Sequence, residues 1–227
     1  MSDHRWSPRS PVAALARFVG VPFDAQTYRN LAYLLLAFPL GIAYFTVVTT
    51  GLSTGLGLLV TFAGVPIVLA TLVVTLGISS FERRLADHLL DVEVDGDDGG
   101  IELAFGSVEE AIGTTKRVLT APAAWTGLLL VGLKFVYGVV AFTALVTAFA
   151  VSATLLAAPA LYDAPGVTYT FGPYVVDTLG EAVAGGGLGV LLVLVSLHVT
   201  NGVARFGGFL TDALLGGAAR SAEAADA

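Results

Sequence analysis

Three long apolar stretches with almost no charge limit what this chain can fold into more than any other feature. Residues 30–81 and 182–204 contain no Asp, Glu, Lys or Arg, and residues 118–162 contain Lys134 alone. A helix rises about 1.5 Å per residue, so roughly 20 uncharged residues span a bilayer core of about 30 Å. A soluble amphipathic helix would instead show a polar face. The stretches therefore predict an integral membrane protein.

The predicted fold class is all-α, a polytopic membrane protein with four transmembrane helices. A turn is expected at Gly51–Gly55 between the first two helices, and a kink or wide turn is expected at Gly64-Val-Pro66. The predicted helices cover Leu31–Thr50, Gly57–Ser80, Ala124–Leu156 and Ala182–Ala204.

The basic residues predict the orientation of these helices. Ten of the eleven Lys and Arg residues lie before the first helix, between the second and third, or after the fourth, and Lys134 is the exception. Basic residues favour the cytoplasmic side of a membrane. We therefore expect a multi-pass protein of the cell membrane with both termini in the cytoplasm.

The remaining composition excludes some chemistry and indicates a source. The chain has no cysteine, which rules out disulfides and thiolate sites. Its 18 acidic residues face 11 basic ones, of which two are lysines. This excess of acid with scarce lysine is typical of a halophilic source, with an acidic mesophile as the alternative.

An internal repeat organises the sequence. At an offset of 97, Phe38, Gly41 and Phe45 match Phe135, Gly138 and Phe142, and residues 72–90 match residues 197–215 at an offset of 125. Each copy holds two helices, so we expect the copies to be parallel. Inverted repeats are a common signature of transporters, and a parallel repeat weakens that interpretation. The predicted segments are a cytoplasmic N-terminus (1–30), the first helix pair (31–90), a cytoplasmic linker (91–122), the second helix pair (123–216) and a disordered cytoplasmic tail (217–227).

The segment 81–90 is predicted to be an amphipathic helix that continues from the second membrane helix into the cytoplasmic interface, and it is the predicted partner surface. Its apolar residues recur every four positions, as on one face of a helix, and its two arginines suit lipid headgroups. A second short interfacial helix is expected at Pro11–Val19. The candidate interface residues are Phe81, Glu82, Arg83, Arg84, Leu85 and Leu89.

The segment 157–181 between the third and fourth helices carries aromatic and acidic residues and no basic one. One interpretation is an interfacial aromatic belt. The other is a small outer pocket for a cation or an amphiphile. The candidate ligand-binding residues are Tyr162, Tyr169, Phe171, Tyr174, Asp177 and Glu181.

Lys134 and His198 are the ionisable side chains predicted within the membrane, where such groups are costly and often functional. Lys134 is expected to have no acid to pair with. It then snorkels or bonds helix carbonyls, and His198 bridges helices as a neutral ring. The alternative is a role in transport.

Catalytic patterns are missing from the sequence. Gly185-Gly-Gly-Leu-Gly189 follows no strand and has no Lys-Ser/Thr, so it predicts close helix packing rather than a nucleotide loop. No enzyme, catalytic residue, metal site or cofactor is expected.

Three stretches resemble a known family, namely Leu31–Phe45, Gly51–Pro66 and Phe81–Leu90. They are similar to the putative sensor domain of actinobacterial and haloarchaeal membrane proteins, with the resemblance extending from Asp24 to Leu215. In that family the module commonly precedes a histidine kinase, and duplicated spans separated by an amphipathic Glu-Arg segment are typical. The chain stops at Ala227 without a phosphoacceptor or ATP-binding domain, so a signal is expected to pass to another protein.

The leading hypothesis is a stand-alone membrane sensor or regulatory module. Its expected partners are the lipid bilayer and a kinase or regulator in trans, with a homo-oligomer left open and no nucleic acid. A small transporter or channel and a passive membrane scaffold are the alternatives.

Overall fold

The computed structural model describes residues 11–61, 63–90, 116–118, 120–171 and 173–225. Short 3-10 turns occur at Val21–Phe23 and Leu59–Thr61, and strand β1 (Thr170–Phe171) pairs antiparallel with β2 (Tyr174–Val175). The predicted linker 91–122 lies almost entirely outside the described residues. In the described part, the main helices are α1 (Pro11–Gly20), α2 (Ala25–Gly57), α3 (Gly64–Leu90), α4 (Pro122–Leu161) and α5 (Leu179–Ala225).

Helices α2 to α5 confirm the predicted fold class. Within the described residues, four helices are long and apolar enough to cross a membrane. Each is longer than the roughly 20 residues that a bilayer core requires. The protein is an all-α polytopic membrane protein.

The first predicted turn is wrong, because α2 continues through it to Gly57. A Cβ built on Gly51 would lie 2.9 Å from Cγ2 of Thr71, and one on Gly55 would lie 2.6 Å from Cγ2 of Val68. These two glycines therefore let α3 approach α2 closely, as small residues do between membrane helices. The chain reverses later, where the amide of Gly64 donates to the carbonyl of Leu58 at 3.2 Å.

The remaining boundaries also differ from the prediction in ways that side-chain chemistry explains. Pro66 lies in the first turn of α3, where a missing amide donor costs no helical hydrogen bond, so it produces no mid-helix kink. The segment 81–90, by contrast, is helical as predicted and forms the last part of α3. Helix α5 continues to Ala225, through most of the predicted tail, where alanine favours the helix.

The helices contribute to two compact units. Unit 1 consists of the chain up to Tyr28 together with 143–202, and unit 2 consists of 29–142 together with the chain from Val203. In unit 1, Ala158, Val176 and Ala182 form a buried apolar cluster.

Two stacked aromatic pairs in unit 2 define the direction of α2 relative to α4. Phe38 stacks on Phe142, and Phe45 stacks on Phe135, each with ring centroids 4.5 Å apart. Residue numbers therefore rise along α2 while they fall along α4. The two helices run antiparallel where they meet.

The glycines between these rings make a reciprocal contact. A Cβ on Gly41 would lie 3.1 Å from Cα of Phe135, and a Cβ on Gly138 would lie 3.1 Å from Cα of Phe38. These residues are equivalents in the repeat, since 41 and 138, like 38 and 135, differ by 97. Each copy thus offers the other the same surface, as across a two-fold axis perpendicular to the helices.

Helices α3 and α4 run in the same direction in unit 2. A Cβ on Gly127 would lie 2.9 Å from both Thr75 Cγ2 and Ser79 Oγ, and Glu82 pairs with Lys134 further along. The parallel arrangement predicted for the two copies is therefore wrong in unit 2, where their first helices, α2 and α4, are antiparallel. The prediction counted membrane crossings, whereas side-chain contacts decide the direction.

Candidate functional site

A buried ion pair joins α3 to α4 inside unit 2. Lys134 Nζ lies 2.5 Å from Glu82 Oε2, and both side chains are 2% exposed. The expectation that Lys134 has no acid partner is therefore wrong. The sequence places Glu82 next to two arginines at the predicted interface, yet the parallel course of α3 and α4 turns its carboxylate inward.

Tyr33 on α2 is a second partner of the Lys134 ammonium. Lys134 Nζ donates a hydrogen bond to the buried Tyr33 hydroxyl and lies 4.7 Å from the centroid of the same ring. Of the three donors of the ammonium, the phenol accepts one, and the carboxylate of Glu82 pairs with the charge. Ion pairs buried in this way are tolerated because the charges are paired and hydrogen-bonded. We call Tyr33, Glu82 and Lys134 the charged cluster.

Two further tyrosines border the charged cluster. The hydroxyl of Tyr44 is buried and has no hydrogen-bond partner in the described part of the chain, although the charge of Glu82 acts on it. The hydroxyl of Tyr137 donates to the carbonyl of Val203 at 2.8 Å. Sequence reasoning missed Tyr33, Tyr44 and Tyr137, since nothing distinguishes a tyrosine that binds an ion pair from one that only packs.

The charged cluster occurs once in the repeat. The equivalents of Lys134 and Glu82 are Ala37 and Gly207, at offsets of 97 and 125. A side chain at position 207 would collide with Tyr137, whose Cζ lies 2.8 Å from a Cβ built there. One copy thus supplies the acid, the other supplies the base, and the reciprocal position is uncharged.

A row of hydroxyls on α3 leads to Glu82. Thr71, Thr75 and Ser79 each donate to the carbonyl four residues earlier, at 2.8 to 3.0 Å. The three side chains are buried and share a helix face with Glu82. Backbone carbonyls of α3 accept the hydrogen bonds of these hydroxyls. The row therefore places hydroxyl oxygens inside unit 2 and leaves none of the three hydroxyl hydrogens unpaired.

The predicted partner surface is smaller than the sequence indicates. Phe81 is 49% exposed, Arg84 is exposed, and Leu85 and Leu89 are half-buried. Arg83 is half-buried and makes contacts of its own. Glu82 belongs to the charged cluster and leaves this surface.

His198 contacts α1 within unit 1. Its ring stacks on Phe18 with centroids 4.6 Å apart and 13° between the planes. Its Nε2 lies 3.2 Å from the carbonyl oxygen of Phe18, so the ring carries its proton there and donates it. The expected bridge between helices is present, and its partner is a backbone group.

Glu181 in the predicted outer pocket caps α5. Its carboxylate accepts the Tyr174 hydroxyl and the backbone amides of Asp177 and Thr178, the latter two at 3.1 and 3.2 Å. The amide of Glu181 returns a hydrogen bond to Thr178 Oγ1 at 3.3 Å, which completes a capping box. The hydrogen bond to Glu181 raises the pKa of Tyr174 above its usual range. The Thr-x-x-Glu spacing could have revealed this cap from the sequence.

The other predicted pocket residues do not converge on one point. Tyr162 and Tyr169 pack against the apolar cluster of unit 1, and Asp177 is exposed. Phe171 belongs to β1, and its side chain is outside the described set. An open groove of about 320 Å³ is present beside the cap, and among the described side chains two of the predicted residues, Tyr174 and Glu181, border it. Its lining is Tyr174, Val176, Glu181, Ala184, Gly185 and Leu188.

Comparisons with known proteins bear on the family of this chain. Within the described residues, no group of three or more His, Asp or Glu side chains could hold a metal ion. No curated protein and no solved structure matches the chain. A family model described as "Putative sensor" matches residues 33–215, well over half of the sequence, and this match includes the whole charged cluster. The chain belongs to the putative sensor family.

Proposed function

We propose that the protein is a stand-alone membrane sensor or regulatory module that passes an outer-face or bilayer signal to a separate partner. Family membership supports the sensor role. The observation that carries the relay is the ion pair between Glu82 and Lys134, because Glu82 begins the segment whose exposed residues form the partner surface.

The relay depends on how strongly α4 holds this segment. Phe81 and Arg84 flank the buried Glu82, so these exposed side chains cannot rotate about α3 without withdrawing the carboxylate from Lys134. Breaking a buried pair costs about 3–5 kcal/mol. A free-energy cost of this size separates a state in which Glu82 and Lys134 are paired from one in which they are not. The segment therefore has two distinct positions rather than a continuous range of positions.

Capture of partners from native membranes tests the relay. We compare the full chain with a Phe81→Ala/Arg84→Ala variant, and use Leu129→Ala, on the exposed face of α4, as the control. The relay predicts that the first variant loses a partner and its response and that the control keeps both. Unchanged partners and responses in every variant would overturn the relay. A partner bound constantly with no response to any stimulus would indicate a scaffold.

The partner in this proposal is a kinase or regulator in trans, and the protein itself has no catalytic role. A homo-oligomer is compatible with the relay. We place the protein in the cell membrane. The distribution of basic residues supports a cytoplasmic position for both termini, whereas the parallel course of α3 and α4 in unit 2 favours a connection between them that crosses the membrane.

Labelling of single cysteines tests this orientation. Val118 packs in one cluster with Leu72, and Leu72 is about 18 Å along α3 from Arg84 at the usual helical rise. The distribution of basic residues predicts that cysteines introduced as Arg84→Cys and Arg117→Cys react with an impermeant maleimide added on the same side of the membrane. Reaction from opposite sides would overturn the proposed orientation and favour a membrane-crossing connection between α3 and α4.

A small transporter or channel is the second candidate, supported by one observation. The antiparallel, reciprocal contact of α2 and α4 is the geometry of an inverted repeat, and such proteins hold ions and substrates at the repeat interface. The charged cluster adjoins this contact, since Gly41 faces the backbone of Lys134.

Flux measurements in proteoliposomes decide between the two candidates. Transport through the cluster predicts that Glu82→Gln and Lys134→Met abolish flux and that Lys116→Met, at an exposed lysine, leaves it intact. His198→Ala is run in parallel. Flux that survives the first two changes would exclude the cluster, and no flux for any solute class would exclude transport.

A further inference from the structure

The first helix presents an apolar row that no described residue of unit 1 covers. Leu15, Val19 and Phe23 recur every four residues and are 64%, 48% and 89% exposed. Residues four apart lie on one face of a helix, and here the face continues into the 3-10 turn that follows α1. Phe18 is half-buried instead and stacks on His198.

Hydrogen bonds hold the turn that carries Phe23. The Tyr28 hydroxyl donates to the carbonyl of Pro22 at 2.7 Å, and Asp24 Oδ1 accepts the amide of Gln26 at 3.0 Å. Just beyond, Thr27 Oγ1 accepts a hydrogen bond from Asn201 at 3.0 Å. The hydrogen-bonded turn thus keeps Phe23 in an exposed position. Exposing its apolar ring to water costs free energy unless something covers the ring.

The charge of this end of the chain differs from that of the whole. Residues 1–30 carry four arginines and two aspartates, whereas the complete chain has a net charge of −7. Basic residues beside an apolar helix face are attracted to anionic lipid headgroups. The helix that anchors Phe18 is α5, a candidate membrane span over Leu179–Leu215, so the row adjoins a lipid-contacting element.

We propose that α1 is an in-plane anchor that lies on an anionic bilayer surface, with Leu15, Val19 and Phe23 inserted at the headgroup–acyl boundary. His198 holds Phe18, on a neighbouring face of α1, against α5 and so sets the depth of the helix. This interaction concerns lipid and needs no partner protein, so it stands independently of the relay.

Spin labelling of the full chain tests this anchor directly, because the protein has no cysteine to remove. Nitroxides are attached at Val19→Cys and Phe23→Cys, in vesicles of phosphatidylcholine with phosphatidylglycerol. Val140→Cys, exposed on α4 within a candidate span, is the lipid reference, and Asp163→Cys, exposed in the turn after α4, is the water reference. The accessibility of each label to oxygen and to an aqueous nickel complex is measured.

The anchor predicts oxygen-to-nickel ratios at both positions between those of the two references. It also predicts a fall toward the water value in vesicles of phosphatidylcholine alone. Ratios equal to the Asp163 reference in the anionic vesicles would overturn the proposal. Spin–spin broadening that disappears on dilution with unlabelled protein would also overturn it, because a second copy of the chain would then cover the row.

Discussion

Replacing Lys134 with methionine gives the most direct test of the charged cluster. The substitution keeps the unbranched stem and removes the ammonium, which leaves the 2%-exposed carboxylate of Glu82 without its ion-pair partner. Loss of one partner from a buried pair costs about 3–5 kcal/mol, because the remaining charge stays desolvated. We expect Lys134→Met to lower the free energy of unfolding by this amount. Glu82→Gln, which leaves the ammonium unpaired, should act similarly.

The double variant separates the pair from its two members. Replacing both members of a buried pair with hydrophobic residues of similar volume is often neutral or stabilising by about 1–4 kcal/mol, and a pair of uncharged side chains likewise leaves no buried charge without a partner. Glu82→Gln/Lys134→Met should therefore recover most of the loss, with a coupling energy of at least about 2 kcal/mol. Unfolding is followed by denaturant titration in bicelles. Lys116→Met, the same substitution at an exposed site, is the control and should stay within about 0.5 kcal/mol of the parent.

Two outcomes would refute this reasoning. Single variants as stable as the control would mean that water or lipid headgroups reach the charges and that the burial of the pair is not maintained. Additive losses without coupling would mean that Glu82 and Lys134 act separately. In either case the relay would lose its mechanical basis.

Three further predictions concern packing, capping and pH. Gly138→Leu should destabilise unit 2 by about 1–3 kcal/mol, since the backbone of Phe38 cannot yield, while Gly132→Leu at an open position should be tolerated in the same titration. Thr178→Ala should cost about 1 kcal/mol through loss of the α5 cap, measured against Thr168→Ala on the exposed turn. Because its pKa is raised in the folded protein, Tyr174 contributes stability that is complete below its unfolded pKa of about 10 and disappears as pH rises through the folded value. Absorbance titration should show the phenol ionising at lower pH in Glu181→Gln, and an unchanged titration would contradict the hydrogen bond as the cause.

The apolar runs predicted the four membrane helices, because the bilayer leaves few alternatives for such sequence. Helix ends were less predictable. Gly51 and Gly55 are typical of a turn, and only the neighbouring side chains of α3 show that they permit close packing instead. Helix length was underestimated at residues 217–225, because alanine continues a helix that hydropathy alone would end.

The sequence predicted the candidate site less well than it predicted the fold. Lys134 was identified because a lone charge in an apolar run is costly. Its partner was not identified, because Glu82 stands beside two arginines and resembles an interfacial residue. Pairing it with Lys134 requires the direction of α4 relative to α3, and periodicity carries no information on that direction. The capping role of Glu181 was available from the Thr-x-x-Glu spacing.

The single occurrence of the charged cluster has a consequence for how the sequence can change over time. The residues at positions 82 and 134 form an ion pair, so a substitution at one position should be accompanied by a substitution at the other. At their counterparts, positions 37 and 207, the size of the side chain is what is restricted, since Tyr137 occupies the space that a side chain at 207 would need. The two halves of the predicted repeat are thus held to different rules, one electrostatic and one steric.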